Sequence, residues 1–268
     1  MHDQKLIEQL QALVPFDIKG EIQNRGEDLL RSIEGVIEEA SEVEGGPFYA
    51  GEQFEWVERI ENNWEVIREE LDAVLQDREK IPYFHKIQED QTRIAGDEKW
   101  RTFFMYGYGY KSVGNCERAP KTSALLESIP GMTTAMFSIL SPGKVIPAHR
   151  GPYKGVLRYH LGLQVPEKKE NCRIRVGEEW RHWEEGKSLI FDDTRDHEVH
   201  NDTDEQRVVL FVDVLRPMPP VWDMMNRALV KAIAMSPYVR DAMDKQEEWE
   251  LQHFGETKGT ETMSIWEV

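Results

Sequence analysis

The chain has 268 residues, of which 40% are hydrophobic and 31% charged, and these proportions are typical of a globular protein with a full core. Its net charge of −17 disfavours nucleic-acid binding and docking on an anionic membrane, because both need clustered Lys and Arg side chains. The two cysteines form no CxxC pair, and the sequence shows neither the apolar segment of a signal peptide nor an apolar run of membrane-spanning length. We therefore expect a cytoplasmic protein built around one large domain.

Apolar residues recur at helical spacing in the first third of the chain. Segments 4–14 and 26–44 show this spacing, and "GGPFYAGEQ" at 45–53 interrupts it. The pattern resumes over 54–77, where apolar residues follow one another at steps of three and four, namely Trp56, Ile60, Trp64, Ile67 and Leu71. This last segment predicts an amphipathic helix that faces a core.

The character of the sequence changes near residue 100. "WRTFFMYGYGYKS" indicates a strand and a turn, and "KTSALLESIPG" a short helix. Short apolar runs then alternate with turn residues as far as "QRVVLFVDVLRP", which predicts an antiparallel sandwich or barrel. Helical patterns return over 221–236 and 241–254. The fold class is therefore mainly β with flanking helices.

One predicted strand carries an unusual pair of polar residues. In "VLRYHLGL", Arg158 and His160 share a face with Gly162, whereas the other face is apolar. This polar face is either exposed to solvent or lines a cavity that holds a carboxylate, because a buried Arg needs an anionic partner. The strand pattern alone leaves both alternatives open.

Arg207 repeats this feature on another strand. It is the single cation of "RVVLFVDVL", and it shares a face with Phe211 and Asp213. Two arginines on neighbouring strands suit a ligand with two acidic groups, because Arg binds carboxylates in a bidentate manner.

Histidines concentrate near the ends of these strands. His149 precedes a Gly-Pro turn, and His197 follows the strand that ends at "FDD". Both are candidate iron or zinc ligands, and the alternative is that they are ordinary loop histidines. The usual third ligand, a carboxylate two residues after the first His, is absent because Gly151 occupies that position. His182 falls in a predicted exposed hairpin.

The blocks "FSILSPGKVIPAHRGPYKGVLRYHLGLQVP", "WEEGKSLIFDDTRDHEVHN" and "RVVLFVDVLRP" together resemble the aspartyl/asparaginyl β-hydroxylase family. Its members are Fe(II)- and 2-oxoglutarate-dependent dioxygenases with a double-stranded β-helix, the jelly-roll core that cupins share. The resemblance implies Fe(II), 2-oxoglutarate and O2 as cofactor and cosubstrates. It also accounts for Gly151, because this family binds iron without an acidic ligand. The first forty-odd residues and the tail lie outside the resemblance.

The resemblance assigns a role to each candidate residue. His149 and His197 would be the iron ligands and so the catalytic residues, whereas His200 matches no ligand position. Arg207, with the hydroxyl of Ser138, would bind the distal carboxylate of 2-oxoglutarate. The end that chelates iron would contact the cosubstrate-binding residues Arg158 and His160. Asp192 and Asp193 would orient an imidazole or simply cap a turn.

The sequence patterns and the resemblance together set expectations for domain organisation. We expect a helical extension over 1–45, a dioxygenase domain over 46–218 with a helical entry at 52–76 and a jelly-roll at about 100–218, and C-terminal helices with an acidic tail over 219–268.

The expected reaction is hydroxylation of an unactivated carbon. The first expectation for the substrate is the β-carbon of an Asp or Asn unit that is free, in a peptide or on a carrier protein, with no nucleic-acid or membrane partner. The alternatives are a different small molecule, a lipid acyl chain, or a non-catalytic jelly-roll that binds a diacid or a partner. The sequence predicts no oligomeric state.

Overall fold

The computed structural model describes residues 31–88, 92–255 and 257–262. The helix predicted over 4–14 lies outside these residues, as does the beginning of the helical segment 26–44. Within the described ranges, none of the helices combines the length and the apolar character needed to cross a bilayer.

The described residues contain twelve strands, which form two sheets. The strands are β1 (Phe48–Tyr49), β2 (Trp100–Gly107), β3 (Tyr110–Ser112), β4 (Met132–Leu140), β5 (Val145–His149), β6 (Val156–Gln164), β7 (Cys172–Val176), β8 (Glu179–His182), β9 (Ser188–Phe191), β10 (His197–Asn201), β11 (Arg207–Leu215) and β12 (Thr260–Thr262). The large sheet has the order β1-β9-β6-β11-β4-β2-β3-β12, and the small sheet has the order β5-β10-β7-β8. All pairings between these strands are antiparallel, so the predicted mainly β fold with a double-stranded β-helix core is confirmed.

Helices precede and follow these strands, as the sequence predicts. They are α1 (Glu34–Glu39), α2 (Val57–Glu61), α3 (Trp64–Val74), α4 (Phe84–Ile87), α5 (Thr92–Ala95), α6 (Val113–Arg118), α7 (Pro120–Glu127), α8 (Pro220–Ala234) and α9 (Pro237–Phe254). The short helix predicted after β3 is α7, and the two C-terminal helical patterns are α8 and α9.

The single helix predicted over 54–77 is divided into α2 and α3. Its apolar stripe is intact, since Ile60, Ile67 and Leu71 are fully buried. The break falls at Asn63, whose side-chain amide donates to the carbonyl of Arg59 at 2.8 Å. Asn side chains compete in this way with the helical backbone, and a periodicity argument does not register the competition.

The two faces of the large sheet have different partners. One face of β6 and β11 packs against α2 and α3 and forms the larger apolar core, which includes Tyr159, Leu161 and Leu210. The opposite face looks towards the small sheet, and a second cluster fills the space between the sheets, including Trp100, Phe191 and Phe211. Arg158, His160 and Arg207 lie on this inner face, because side chains alternate along a strand.

Candidate active site

His149 and His197 lie side by side in the small sheet. They are direct partners in the β5–β10 pair, and their ring centroids are 4.1 Å apart. Each Nδ1 lies within hydrogen-bond distance of a backbone carbonyl, that of Pro147 at 2.8 Å and that of Arg195 at 3.0 Å. When Nδ1–H donates to these carbonyls, the lone pair of each ring is on Nε2, which is the usual arrangement of metal-ligating histidines.

The electrostatics keep His197 neutral. Burial lowers its pKa to about 3, and the nearby His149 and Arg158 act in the same direction. Neutral imidazole is the form that binds a metal ion. The two histidines thus have the geometry of metal ligands, and His197 also has the required protonation state.

Gly151 occupies the position from which a third metal ligand would come, and no side chain fits there. A Cβ on Gly151 would lie 2.1 Å from Oδ2 of Asp193, a distance that no real Cβ tolerates. The backbone N–H of Gly151 also donates to the carbonyl of Asp193 at 2.7 Å. Among the described residues, no group of three or more His, Cys, Asp and Glu side chains is arranged to hold a metal ion. Gly151 therefore supplies no side-chain ligand beside His149 and His197.

Arg158 is occupied by two carboxylates. Its guanidinium donates to both oxygens of Asp213 at 2.8 and 3.0 Å, and its Nη2 lies 2.9 Å from Oδ2 of Asp193. Burial raises the pKa of Asp193 to about 7, although Arg158 opposes this shift. The predicted contact between Arg158 and a keto acid stays a prediction, because the structure shows this arginine bound to acidic residues of the protein.

Arg207 differs from Arg158 in the partners of its guanidinium. Its side chain is 1% exposed, its Nη1 donates to the carbonyl of Ser138 at 3.4 Å, and its Nε has no hydrogen-bond partner. No carboxylate of the described residues pairs with it. Burial lowers its pKa to about 10, so the guanidinium is still charged at neutral pH. A buried cation without an anion is costly, and this one fits an acidic ligand in the barrel.

His160 lies between Arg158 and Arg207 on the inner face. Both of its ring nitrogens are buried and lack a hydrogen-bond partner among the described residues. Burial holds its pKa well below the usual value, and both arginines add to this effect. The inner face is therefore buried and not exposed to solvent, whereas a cavity that holds a carboxylate on this face stays a prediction.

Two tryptophans complete this part of the interior, and sequence analysis did not identify either. The indole N–H of Trp100 donates to the Ser138 hydroxyl at 3.0 Å, so the hydroxyl hydrogen of Ser138 can be donated to a ligand. Trp183 is fully buried, its indole N–H has no partner, and the Arg207 guanidinium lies 4.4 Å from its ring centroid. Trp183 directly follows the exposed hairpin residue His182, and no alternation in "EEWRHW" marks it as internal.

The other predicted residues have structural roles. His200 is half-buried near Glu198 and Asp202, in register with Val145 and away from His149. The Oδ1 atom of Asp192 accepts the backbone N–H and hydroxyl of Thr194, which is turn capping. Neither aspartate orients the His197 ring, since its Nδ1 is bonded to the carbonyl of Arg195. The prediction that Asp192 and Asp193 orient an imidazole was therefore wrong, whereas turn capping by Asp192 is correct. A backbone carbonyl orients the His197 ring instead.

These observations define what the interior can bind. A dicarboxylate would supply the missing partners of Arg207, Trp183 and His160, with Ser138 as a further donor. The histidine pair offers two nitrogen ligands to a metal. The residues present thus fit a metal ion and an acidic cosubstrate.

Comparison with known proteins gives a consistent result. The family model described as aspartyl/asparaginyl beta-hydroxylase matches residues 61–217, more than half of the chain. The ornithine lipid ester-linked acyl 2-hydroxylase of Rhizobium tropici is 45% identical over 212 residues, which cover 79% of this chain and 75% of that protein. The human aspartyl/asparaginyl beta-hydroxylase is 39% identical over 168 residues, covering 61% of this chain and only 21% of that protein.

Among solved structures, the Cupin_2 domain of an XRE family transcriptional regulator from Enterobacter cloacae is 15% identical with a TM-score of 0.28, over 33% of this chain and 85% of that chain. The family match and the extent of the Rhizobium similarity decide the assignment. The chain belongs to the aspartyl/asparaginyl β-hydroxylase family and is a member of a family of hydroxylases.

Proposed function

We propose that the protein is an Fe(II)- and 2-oxoglutarate-dependent dioxygenase. The observation that supports this most strongly is the buried, charged Arg207 without a carboxylate partner, in the same barrel as the two adjacent histidines. An apolar residue at position 207 would make the barrel more stable, since an unpaired buried charge is destabilising. The arginine is explained if a dicarboxylate occupies the interior.

Each residue then has a definite task. His149 and His197 would hold the iron through Nε2, and Arg207 would bind the distal carboxylate of 2-oxoglutarate with help from Ser138. When bound, the iron and the keto acid together supply O2 activation, which places a hydroxyl group on the substrate and yields succinate and CO2. His160 stays neutral and can donate or accept one hydrogen bond in the interior.

The surrounding residues position this machinery. Trp100 orients the Ser138 hydroxyl, and the backbone carbonyls of Pro147 and Arg195 orient the two imidazoles. The rings of Phe191 and Phe211 border His160 at centroid distances of 5.1 and 5.2 Å, and these apolar walls exclude bulk water from the interior.

For the substrate, we propose the acyl chain of an amino-acid-containing lipid, hydroxylated at its second carbon. The support is the Rhizobium relative, whose printed name states an ornithine lipid and an ester-linked acyl 2-hydroxylase. Its similarity extends over most of both chains, whereas the human enzyme matches across about a fifth of its length. The Asp or Asn side chain is the second candidate, and the family model and the human relative support it.

The test is a turnover assay with both substrate classes. The purified protein is incubated with Fe(II), 2-oxoglutarate and O2, together with ornithine lipid in detergent micelles or with Asp- and Asn-containing peptides. We expect succinate and a lipid product heavier by one oxygen atom, in equal amounts. Hydroxylation of a peptide and not of the lipid would favour the second candidate. No succinate with any substrate, from protein that binds iron, would contradict the dioxygenase proposal.

A further inference from the structure

Helix α8 presents an apolar face to solvent. Its exposed residues are Pro220, Val221, Trp222, Met224, Met225, Ala228, Lys231 and Ala232, and the exposed Met235 follows directly. The exposed fractions are 65% for Val221, 64% for Met224 and 54% for Met225. Single exposed apolar residues are ordinary, but a continuous row of them marks an interaction surface. We refer to residues 221, 222, 224 and 225 as the α8 patch.

The next helix shows that this is not a general property of the C-terminal region. Among the described side chains of α9, the exposed ones are Arg240, Asp241, Asp244, Glu248, Leu251 and Gln252, which is the normal composition of a solvated face. Among the described residues of α8, the exposed set contains a single charged side chain, Lys231, and no acid. Because the chain has a net charge of −17, a helix whose exposed described residues include no Asp or Glu is unusual in this protein.

The inner face of α8 is tied to the loop that follows His149. Val230 is fully buried in a cluster with Tyr153 and Met218. The Tyr153 hydroxyl donates to Asn226 at 2.7 Å, and the Asn226 amide donates to the carbonyl of Gly155 at 2.8 Å. This loop begins directly after His149. The α8 patch is therefore attached to the same end of the barrel as the histidine pair.

The chemistry of the patch suits a lipid surface. A Trp with Val and Met side chains on one helical face, together with a Lys and without acids, is the composition of a helix that lies in a bilayer interface. Such a helix buries its apolar face by roughly 5–10 Å, at the boundary of the headgroups and acyl chains. Exposed carboxylates would be repelled by lipid phosphates, and the exposed described residues of this helix include none.

We infer that the α8 patch docks the protein on the surface of a phospholipid bilayer, with the iron end of the barrel facing the membrane. The inference rests on the proposed acyl-lipid substrate, since the acyl chain of such a lipid is buried in a bilayer and must be reached from its surface. It differs from the sequence-based expectation of no membrane partner. That expectation rested on net charge and on apolar runs, and neither describes one face of a helix.

The experiment is co-sedimentation of the full chain with vesicles of a zwitterionic phospholipid. The test variant is Val221→Glu combined with Met225→Glu, and the matched control is Leu251→Glu, which alters a residue of similar exposure (55%) on α9. We expect wild type and control to bind alike, and the double variant to bind roughly 100-fold more weakly, because two apolar side chains lose their burial. Equal thermal unfolding midpoints show that the variants are folded.

A second measurement reports on the patch itself. Met225→Cys is labelled with a polarity-sensitive fluorophore, which is selective because both native cysteines are buried. We expect a blue shift on addition of vesicles. Absence of vesicle binding, unchanged binding of the double variant, or a label already in an apolar environment without vesicles would overturn the inference. Sedimentation equilibrium then shows whether a second copy covers the patch.

The turnover assay in detergent micelles separates this inference from the proposed function. If the double variant hydroxylates micellar lipid like wild type but loses vesicle binding, both proposals are supported. If the protein binds vesicles through the α8 patch but hydroxylates no lipid, the docking surface stands and the proposed substrate fails.

Discussion

Replacing Arg207 by methionine is expected to stabilise the ligand-free protein while it impairs use of 2-oxoglutarate. Burial lowers the pKa of Arg207 to about 10, and this shift corresponds to about 3 kcal/mol of unfavourable free energy for keeping the guanidinium charged. Methionine removes this cost, although it loses the contact with the Trp183 ring. We therefore expect the free energy of unfolding of the ligand-free protein to rise by about 1–3 kcal/mol.

The same substitution removes the proposed partner of the distal carboxylate. Truncating one member of a buried charge pair costs about 2–5 kcal/mol of binding free energy, so we expect the KM for 2-oxoglutarate to rise at least roughly 30-fold. Urea unfolding with and without 2-oxoglutarate measures both effects, because a ligand stabilises only the form that binds it. The stabilisation that the cosubstrate gives to wild type should be absent in the variant.

Arg158→Met is the matched control on the neighbouring strand. It leaves Asp193 and Asp213 buried without their cation, so we expect it to lower the free energy of unfolding by about 3–5 kcal/mol. The two substitutions remove the same chemical group and should have opposite effects on stability. A loss of stability in Arg207→Met equal to that in Arg158→Met, with an unchanged KM for 2-oxoglutarate, would refute the reasoning.

Two further predictions concern positions near the histidine pair. Gly151→Ala should destabilise the protein by about 1–3 kcal/mol in urea unfolding, because its Cβ would lie 2.1 Å from Asp193 Oδ2, and the loss should shrink in an Asp193→Ala background. His160 has a lowered pKa in the folded state, so its contribution to stability is present above about pH 6.5 and is lost as the pH falls. As the pH falls from 6.5 to 5, wild type should therefore lose more stability than His160→Gln in urea unfolding. Parallel pH curves for wild type and His160→Gln would contradict the assignment.

The sequence predicts much of the barrel because its signals are local. Alternation along β6 and β11 separates one apolar face from the face of Arg158, His160 and Arg207, and the structure has this division. Turn residues mark the ends of nearly every strand. The histidine pair follows from the family resemblance, and the structure brings the two rings together.

The features that the sequence does not predict depend on contacts between distant segments. Arg158 and Asp213 are 55 residues apart, and their pairing follows from the register of β6 with β11, which single-strand patterns do not contain. Trp100 is joined to Ser138 only through the β2–β4 pair. Helical spacing in α8 shows that apolar residues surround the helix, but tertiary packing decides which of them remain exposed.

Anaerobic titration with Fe(II) and then 2-oxoglutarate tests the central claim most directly. We predict that one Fe(II) binds per chain and that 2-oxoglutarate then produces visible charge-transfer absorption, which arises when a keto acid chelates iron. His149→Ala and His197→Ala should each abolish this absorption, and Arg207→Met should shift it to a much higher 2-oxoglutarate concentration. Undiminished absorption in either histidine variant, or none in wild type with iron bound, would contradict the claim.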